Sequence, residues 1–236
     1  CLGTSAWYAC TTTEPVLDPE ARSFTLGHVV PGLFTPTATT QTGAGSLQWA
    51  ADALGDAPAE IGELIASAGV AVAADEGLFF LPYLIGERSP WWDAHASGVF
   101  AGLRMHHRRP HLTRAVLEGV GYSLALCMAP LRRPGDGAID VIGGGAASDT
   151  WLALLADIWG VPVRRRSVTT QANSLGAAVT GMVGLGLAGF DLASRLSTVT
   201  AEFVPGEASV RHQRHLARFS DAYRSLRGWF ADERRG

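Results

Sequence analysis

Apolar residues fall along this chain in two rhythms, a helical spacing of about 3.6 residues and short unbroken runs, and the two alternate. Leu47, Ala50, Ala51 and Leu54 predict a helix over 46–54, and Ile61, Leu64, Ile65 and Ala68 predict another over 59–68. The longest stripe runs from Leu112 to Met128 and passes through Val116, Val120 and Leu124, with Pro110 suited to its first turn. Residues 149–159, 175–187 and 210–230 complete the helical set. The second of these is crowded with Gly176, Gly181, Gly184 and Gly186, which cost helix propensity and so imply very close backbone packing. Strand-like runs are read at 2–10, 78–84, 139–142 and 161–163. Between 11 and 45 the chain is polar, and Pro15, Pro19, Pro31 and Pro36 limit regular structure there. The sum is one mixed α/β domain.

Composition narrows the function classes. Hydrophobic residues make up 47% of the 236 and charged residues only 17%, a globular balance with enough chain for a buried core. A net charge of −3 argues against a nucleic-acid partner. All 19 basic residues are Arg, so neither a Schiff-base lysine nor a P-loop lysine is available. Cys1, Cys10 and Cys127 have no metal spacing and read as small core residues in a reducing compartment. No apolar run is long enough for a membrane span, and a cytoplasmic location follows as the expectation. The chain opens at Cys1 directly into a strand-like run, which reads as the middle of a longer protein.

Three small-residue turns could carry chemistry. Gly143-Gly144-Gly145-Ala146 joins a strand to a helix, where backbone amides can approach a phosphate or an adenosine; an ordinary tight turn fits the glycines equally. Gly143, Gly145 and Ser148 also approximate a dinucleotide fingerprint, weakened by Ser148 and by Arg164-Arg165-Arg166 where a ribose-binding acid is expected. Those arginines read as a phosphate site or as the solvated end of a strand. Gly3-Thr4-Ser5 offers amides and two hydroxyls, and Gly43-Ala44-Gly45-Ser46 opens a helix with an anion-friendly terminus. His106, His107 and His111 read as surface or cap histidines, and Glu87 with Arg88 as a loop ion pair.

These signals fall into one known order. Gly98-Val99-Phe100-Ala101-Gly102-Leu103, seven further residues, then His111-Leu112 and Ala115-Val116-Leu117-Glu118 resemble the second signature of the FGGY carbohydrate kinases. Leu81-Pro82-Tyr83 and Gly86-Glu87-Arg88-Ser89-Pro90 are similar to the same family, as are the turn at Gly143, Leu175-Gly176-Ala177-Ala178 and Leu2-Gly3-Thr4-Ser5. The resemblance covers almost the whole chain.

It implies an α/β fold, the ribonuclease-H-like lobe of the actin-like ATPase fold, with residues 1–236 forming the C-terminal lobe and the N-terminal lobe absent. Gly3, Thr4 and Ser5 would hold the outer phosphates of ATP, Gln48 would lie near the nucleotide, and Gly144, Gly145 and Asp149 would line the adenosine. A side chain at Gly145 would then intrude on the ligand. The general-base aspartate is expected upstream of Cys1, so this chain carries no catalytic residue and no metal ligand of its own. The implied reaction is Mg²⁺-assisted transfer from ATP to a sugar or sugar acid in a xylulokinase-like protein, with xylulose first. Gluconate, ribulose, fuculose and glycerol are the other candidates. The implied partners are the small-molecule sugar and the missing lobe, and a homodimer is compatible with it. A truncated remnant, a split-kinase subunit and an NAD-binding oxidoreductase domain stand as alternatives.

Overall fold

The longest stripe folds as a helix that the rest of the chain wraps. The structure is a computed structural model that describes residues 1–55, 61–133 and 135–232. Helix α3 (Arg109–Met128) starts as Pro110 suggests, with His111 Nδ1 accepting the Arg108 amide at 3.1 Å. Val116, Leu117, Val120, Tyr122 and Leu124 are buried on successive faces, because α3 has neighbours all round. Two glycines set how close they come. A Cβ on Gly119 would stand 2.1 Å from the carbonyl oxygen of Phe80, and one on Gly121 would stand 2.6 Å from Ile158 Cδ1. Glu118, buried at this level, is closed by Arg114 Nε at 2.7 Å and the Ala74 amide at 3.0 Å.

Among the described residues the strands form three small sheets, two of which pack on α3. Strands β1 (Ala6–Ala9), β2 (Phe24–Gly27) and β3 (Phe34–Thr40) form an antiparallel sheet in the order β1-β3-β2. The expectation of little regular structure over 11–45 is therefore wrong for β2 and β3. Pro36 removes one donor from β3, yet its carbonyl still accepts the Cys10 amide at 3.2 Å, and the strand survives. Strands β4 (Phe79–Leu81) and β5 (Val99–Ala101) pair as a hairpin-like couple. Strands β6 (Ile139–Val141) and β7 (Val163–Arg166) run parallel, and β8 (Val199–Phe203) joins β7 antiparallel. The edges of β1 and β6 flank a cavity of about 300 Å³. Cys1 and Leu2 bridge its end: Cys1 exchanges both backbone bonds with Trp7, and Leu2 donates to the Ile142 carbonyl at 2.7 Å.

Helices α1 (Gly45–Ala53) and α2 (Ile61–Gly69) pack on α3, as does α4 (Asp149–Trp159). Ala59 and Glu60, placed in the second predicted helix, lie outside the described residues. Helix α5 (Ala172–Gly184) forms, but not as its glycines suggest. Only Val179 is buried, and a Cβ on Gly176, Gly181 or Gly184 would meet nothing within 4 Å. The expected close packing of this helix is absent among the described residues. A short α6 (Asp191–Leu196) leads to β8, and α7 (Ser209–Asp232) closes the chain with Phe219, Tyr223 and Phe230 inward. Among the described residues no helix is long and apolar enough to cross a membrane.

Candidate functional site

Two of the three small-residue turns meet through backbone hydrogen bonds at Gly3 and Thr4, and the third joins them through Leu2, the residue just before Gly3. The carbonyls of Gly3 and Thr4 accept the amides of Gly43, Ala44 and Gly45 at 2.7–3.1 Å. On the other side, Gly145 donates to the Leu2 carbonyl at 3.0 Å, and Gly143 donates to Thr169. The glycines are required here. A Cβ on Gly43 would lie 2.6 Å from that of Ala6, and Gly143 has φ of +96° with its missing Cβ 2.7 Å from the Leu2 oxygen.

This stitching corrects the reading of the α1 start as an open anion-binding terminus. Its first amides are occupied by Gly3 and Thr4, and Ser46 and Leu47 donate back to Gly43 and Ala44. Polar groups that meet no protein partner among the described residues sit instead on the hairpin itself, at the amides and hydroxyls of Thr4 and Ser5.

Beside the stitched turns lies an open cleft of about 580 Å³. Gly144, Gly145, Ala147 and Ser148 form one wall, Ala44, Leu47 and Gln48 the second, and Ile61, Gly62 and Ile65 the third, over Trp151. Ser148 caps α4 by accepting the Trp151 amide at 3.2 Å, and the buried Trp151 ring donates Nε1 to the Leu117 carbonyl at 3.3 Å. One wall is thus tied to α3. The apolar residues of the other two walls belong to stripes that read in sequence as core faces. Nothing in a linear pattern tells a stripe that meets a neighbour from one that stops short of it.

The individual residues divide. Gln48 lines the cleft, with Nε2 turned to Asp52 Oδ1 at 3.0 Å. Gly144 and Gly145 both line it but face differently. A Cβ on Gly144 would meet nothing within 4 Å, whereas one on Gly145 would stand 2.5 Å from the Leu2 side chain and 3.1 Å from Trp151. A side chain at Gly145 therefore enters the core, not the ligand space. Asp149 is not among the lining residues; its carboxylate pairs with Arg165. Arg164 and Arg166 pair likewise with Glu202 and Asp140, so the three arginines of β7 are each matched by an acid.

The Gly86 loop is the part of this region whose role the sequence hid. Among the described residues Glu87 and Arg88 make no ion pair with each other. Glu87 Oε1 accepts the amides of Gln41 and Arg88, both at 2.7 Å, and Oε2 accepts the Thr40 hydroxyl. Burial pushes its pKa up to about 7 against the pull of these donors. Elsewhere, His106 and His107 lie on Glu76 at 3.0 and 3.3 Å, while His107 Nδ1 accepts the Arg104 amide.

The profile of the FGGY family of carbohydrate kinases, C-terminal domain, matches residues 1–185. The chain is 38% identical over 179 residues to the xylulose kinase of Escherichia coli (strain K12), covering 75% of this chain and 37% of that protein. It is 32% identical over 228 residues to the xylulose kinase of Lactococcus lactis subsp. lactis (strain IL1403), covering 94% of this chain and 44% of that one. Among solved structures, the ligand-bound xylulose kinase from Lactobacillus acidophilus superposes with a TM-score of 0.88 at 26% identity, over 98% of this chain and 47% of that one. The chain spans less than half the length of each of these relatives. The fold is the ribonuclease-H-like lobe of the actin-like ATPases, as in the FGGY sugar kinases. By profile, identity and fold together, the chain belongs to the FGGY family of carbohydrate kinases and carries its C-terminal domain.

Proposed function

We propose that this chain is the nucleotide-binding half of an ATP-dependent sugar kinase, with xylulose as the first substrate to test. The observation that carries the reading is the cleft between α1, α2 and the Gly143 turn, whose lining residue Ala44 is bonded to Gly3 of a hairpin that lies outside the lining and whose Thr4 and Ser5 donors meet no protein partner among the described residues. Apolar walls from Leu47, Ile61 and Ile65 suit a flat base, and Gly144 lets a ligand approach the backbone. The Thr4 and Ser5 groups suit phosphate oxygens. No carboxylate lines the cleft among the described residues, so Mg²⁺ would arrive with the triphosphate and neutralise its charge. Phosphoryl transfer also needs a base beside the sugar hydroxyl, which the second lobe of the relatives' length would complete. Xylulose rests on the printed names of the relatives, and gluconokinase from Bacillus licheniformis, 37% identical over 145 residues, keeps gluconate next in line.

Isothermal titration of the chain with ATP and Mg²⁺ tests the reading. Saturable binding of ATP, with NAD(H) failing to compete, is expected, and coupled ADP release should show no xylulose-dependent turnover by the chain alone. A folded chain that binds NAD(H) and not ATP overturns it.

A further inference from the structure

We propose that Glu87 is a positioning residue for the nucleotide site, a buried latch that fixes the end of β3 and thereby the start of α1 against the Gly3-Thr4-Ser5 hairpin. The inference rests on the nucleotide reading for its effect on ligand binding, and on geometry alone for the latch. Glu87 is 4% exposed and sits in the loop between β4 and β5, far in sequence from both segments that it joins. Its carboxyl group collects three donors, of which the Thr40 hydroxyl and the Gln41 amide belong to the end of β3. Two residues later the chain reaches Gly43, whose amide is bonded to Thr4 at 2.7 Å, followed by Ala44 on Gly3 at 2.8 Å. So short a link transmits displacement. Gln41 cannot leave Glu87 without pulling on the amides that hold the hairpin, and Gln48, one turn into α1, lines the cleft.

The loop is itself rigidly held. Glu87 exchanges both backbone bonds with Asp93, Ser89 donates its amide to Thr39, and the Cys127 thiol of α3 donates to the Ser89 carbonyl. A latch mounted this firmly moves little when its charge changes, so the change falls on the donors. The groups that face it are Tyr83 beyond β4, Arg88 beside it, Cys127 on α3, and Tyr223 on α7, whose hydroxyl donates to Asp93. Burial raises Tyr83, Cys127 and Tyr223 above their ordinary values, so all three stay neutral between about pH 6 and pH 8. The Thr40 and Gln41 donors pull Glu87 down against its desolvation, and by linkage the ionised form holds them more tightly. The latch is thus firm above about pH 7 and slackens below it. Fold stability runs the opposite way. A carboxyl raised from 4.5 to about 7 contributes stability that is full below 4.5 and lost as pH rises through 7. Slackening at low pH is therefore distinct from unfolding.

Amide hydrogen exchange and ATP titration with Mg²⁺, on the wild-type chain and Glu87→Gln at pH 6 and pH 8, test this. Taking the ratio of variant to wild type cancels intrinsic exchange and the titration of ATP itself. Exchange at Gln41 and Gly43–Gly45 is expected about fivefold faster in the variant at pH 8 and nearly equal at pH 6, with the dissociation constant for ATP following the same ratio. A ratio that is unity at both pH values, or that does not change between them, overturns the proposal, since a packing role would not follow the charge. If Glu87→Gln does not fold, Thr40→Val removes one donor and should speed exchange at the same amides by a smaller factor; unchanged exchange there overturns it too. If the wild-type chain binds no ATP, the nucleotide reading falls and the exchange ratio alone decides the latch.

Discussion

Helices α3 and α5 both carry glycine where alanine would make the better helix, and they surround it differently. Around Gly119 the backbone of β4 comes so close that a methyl group has no room, and Gly121 admits the Ile158 and Leu155 side chains of α4. In α5 the glycines look onto open space, and the helix is held by Val179 among mostly exposed residues. The propensity cost is the same in both, about 0.5–1 kcal/mol per glycine relative to alanine, but in α3 it permits core contact and in α5 nothing described offsets it. Small residues in a helix mark a place where something could approach, and only the packing shows whether something does.

The sharpest test of the contrast is Gly119→Ala. Its Cβ would meet a backbone carbonyl that cannot rotate away, so a loss of more than about 3 kcal/mol, or failure to fold, is expected in denaturant melts. A loss below about 1 kcal/mol would mean that α3 and β4 can separate cheaply and that the contrast is overstated.

A middle-sized effect comes from the glycine turn, where the same difference lies between neighbours. Gly145→Ala should cost about 1–2 kcal/mol in thermal unfolding because the methyl group enters the space of Leu2 and Trp151. Gly144→Ala should leave melting unchanged and weaken ATP binding about tenfold, since its methyl group points into the cleft. Equal melting of the two variants would erase the distinction.

The smallest effect has the opposite sign. Gly176→Ala and Gly181→Ala should each stabilise the chain by about 0.5–1 kcal/mol, read as a rise in the urea midpoint. Destabilisation by either would show that α5 has a close neighbour after all.

The longer helices of this fold were legible because their stripes are long and apolar, whereas the six-residue α6 has no such stripe and was not read. The 112–128 and 149–159 readings fell within a few residues of α3 and α4, since each buries the face that its spacing marks. The strands β2 and β3 were not, for a physical reason. The buried end of β3 is Ala38, Thr39 and Thr40, small and hydroxyl-bearing residues that look like a turn until a partner satisfies them, and Pro36 reinforces that look. The candidate site was partly legible. Glycines with the right neighbours announced the turns, but the direction of each missing Cβ was invisible, and so Gly145 was credited with the exposure that Gly144 has. Glu87 read as the partner of adjacent Arg88 because sequence shows only neighbours, while its donors Thr40 and Gln41 stand 47 and 46 residues away.

The facing edges of β1 and β6 bear on how the protein behaves as a colloid. Tyr8, Ala9 and Ile139–Val141 border the slot between them together with Arg132, and because β1 and β6 each pair on one side only among the described residues, their other sides offer a row of strand donors and acceptors to an extended polypeptide. Association through such a row has a nucleation step, so it depends steeply on concentration and can be seeded by material already associated. Folding stability then does not forecast shelf life. A preparation well below its melting temperature can still cloud on concentration, and occupying that slot would protect it more than tightening the core around α3.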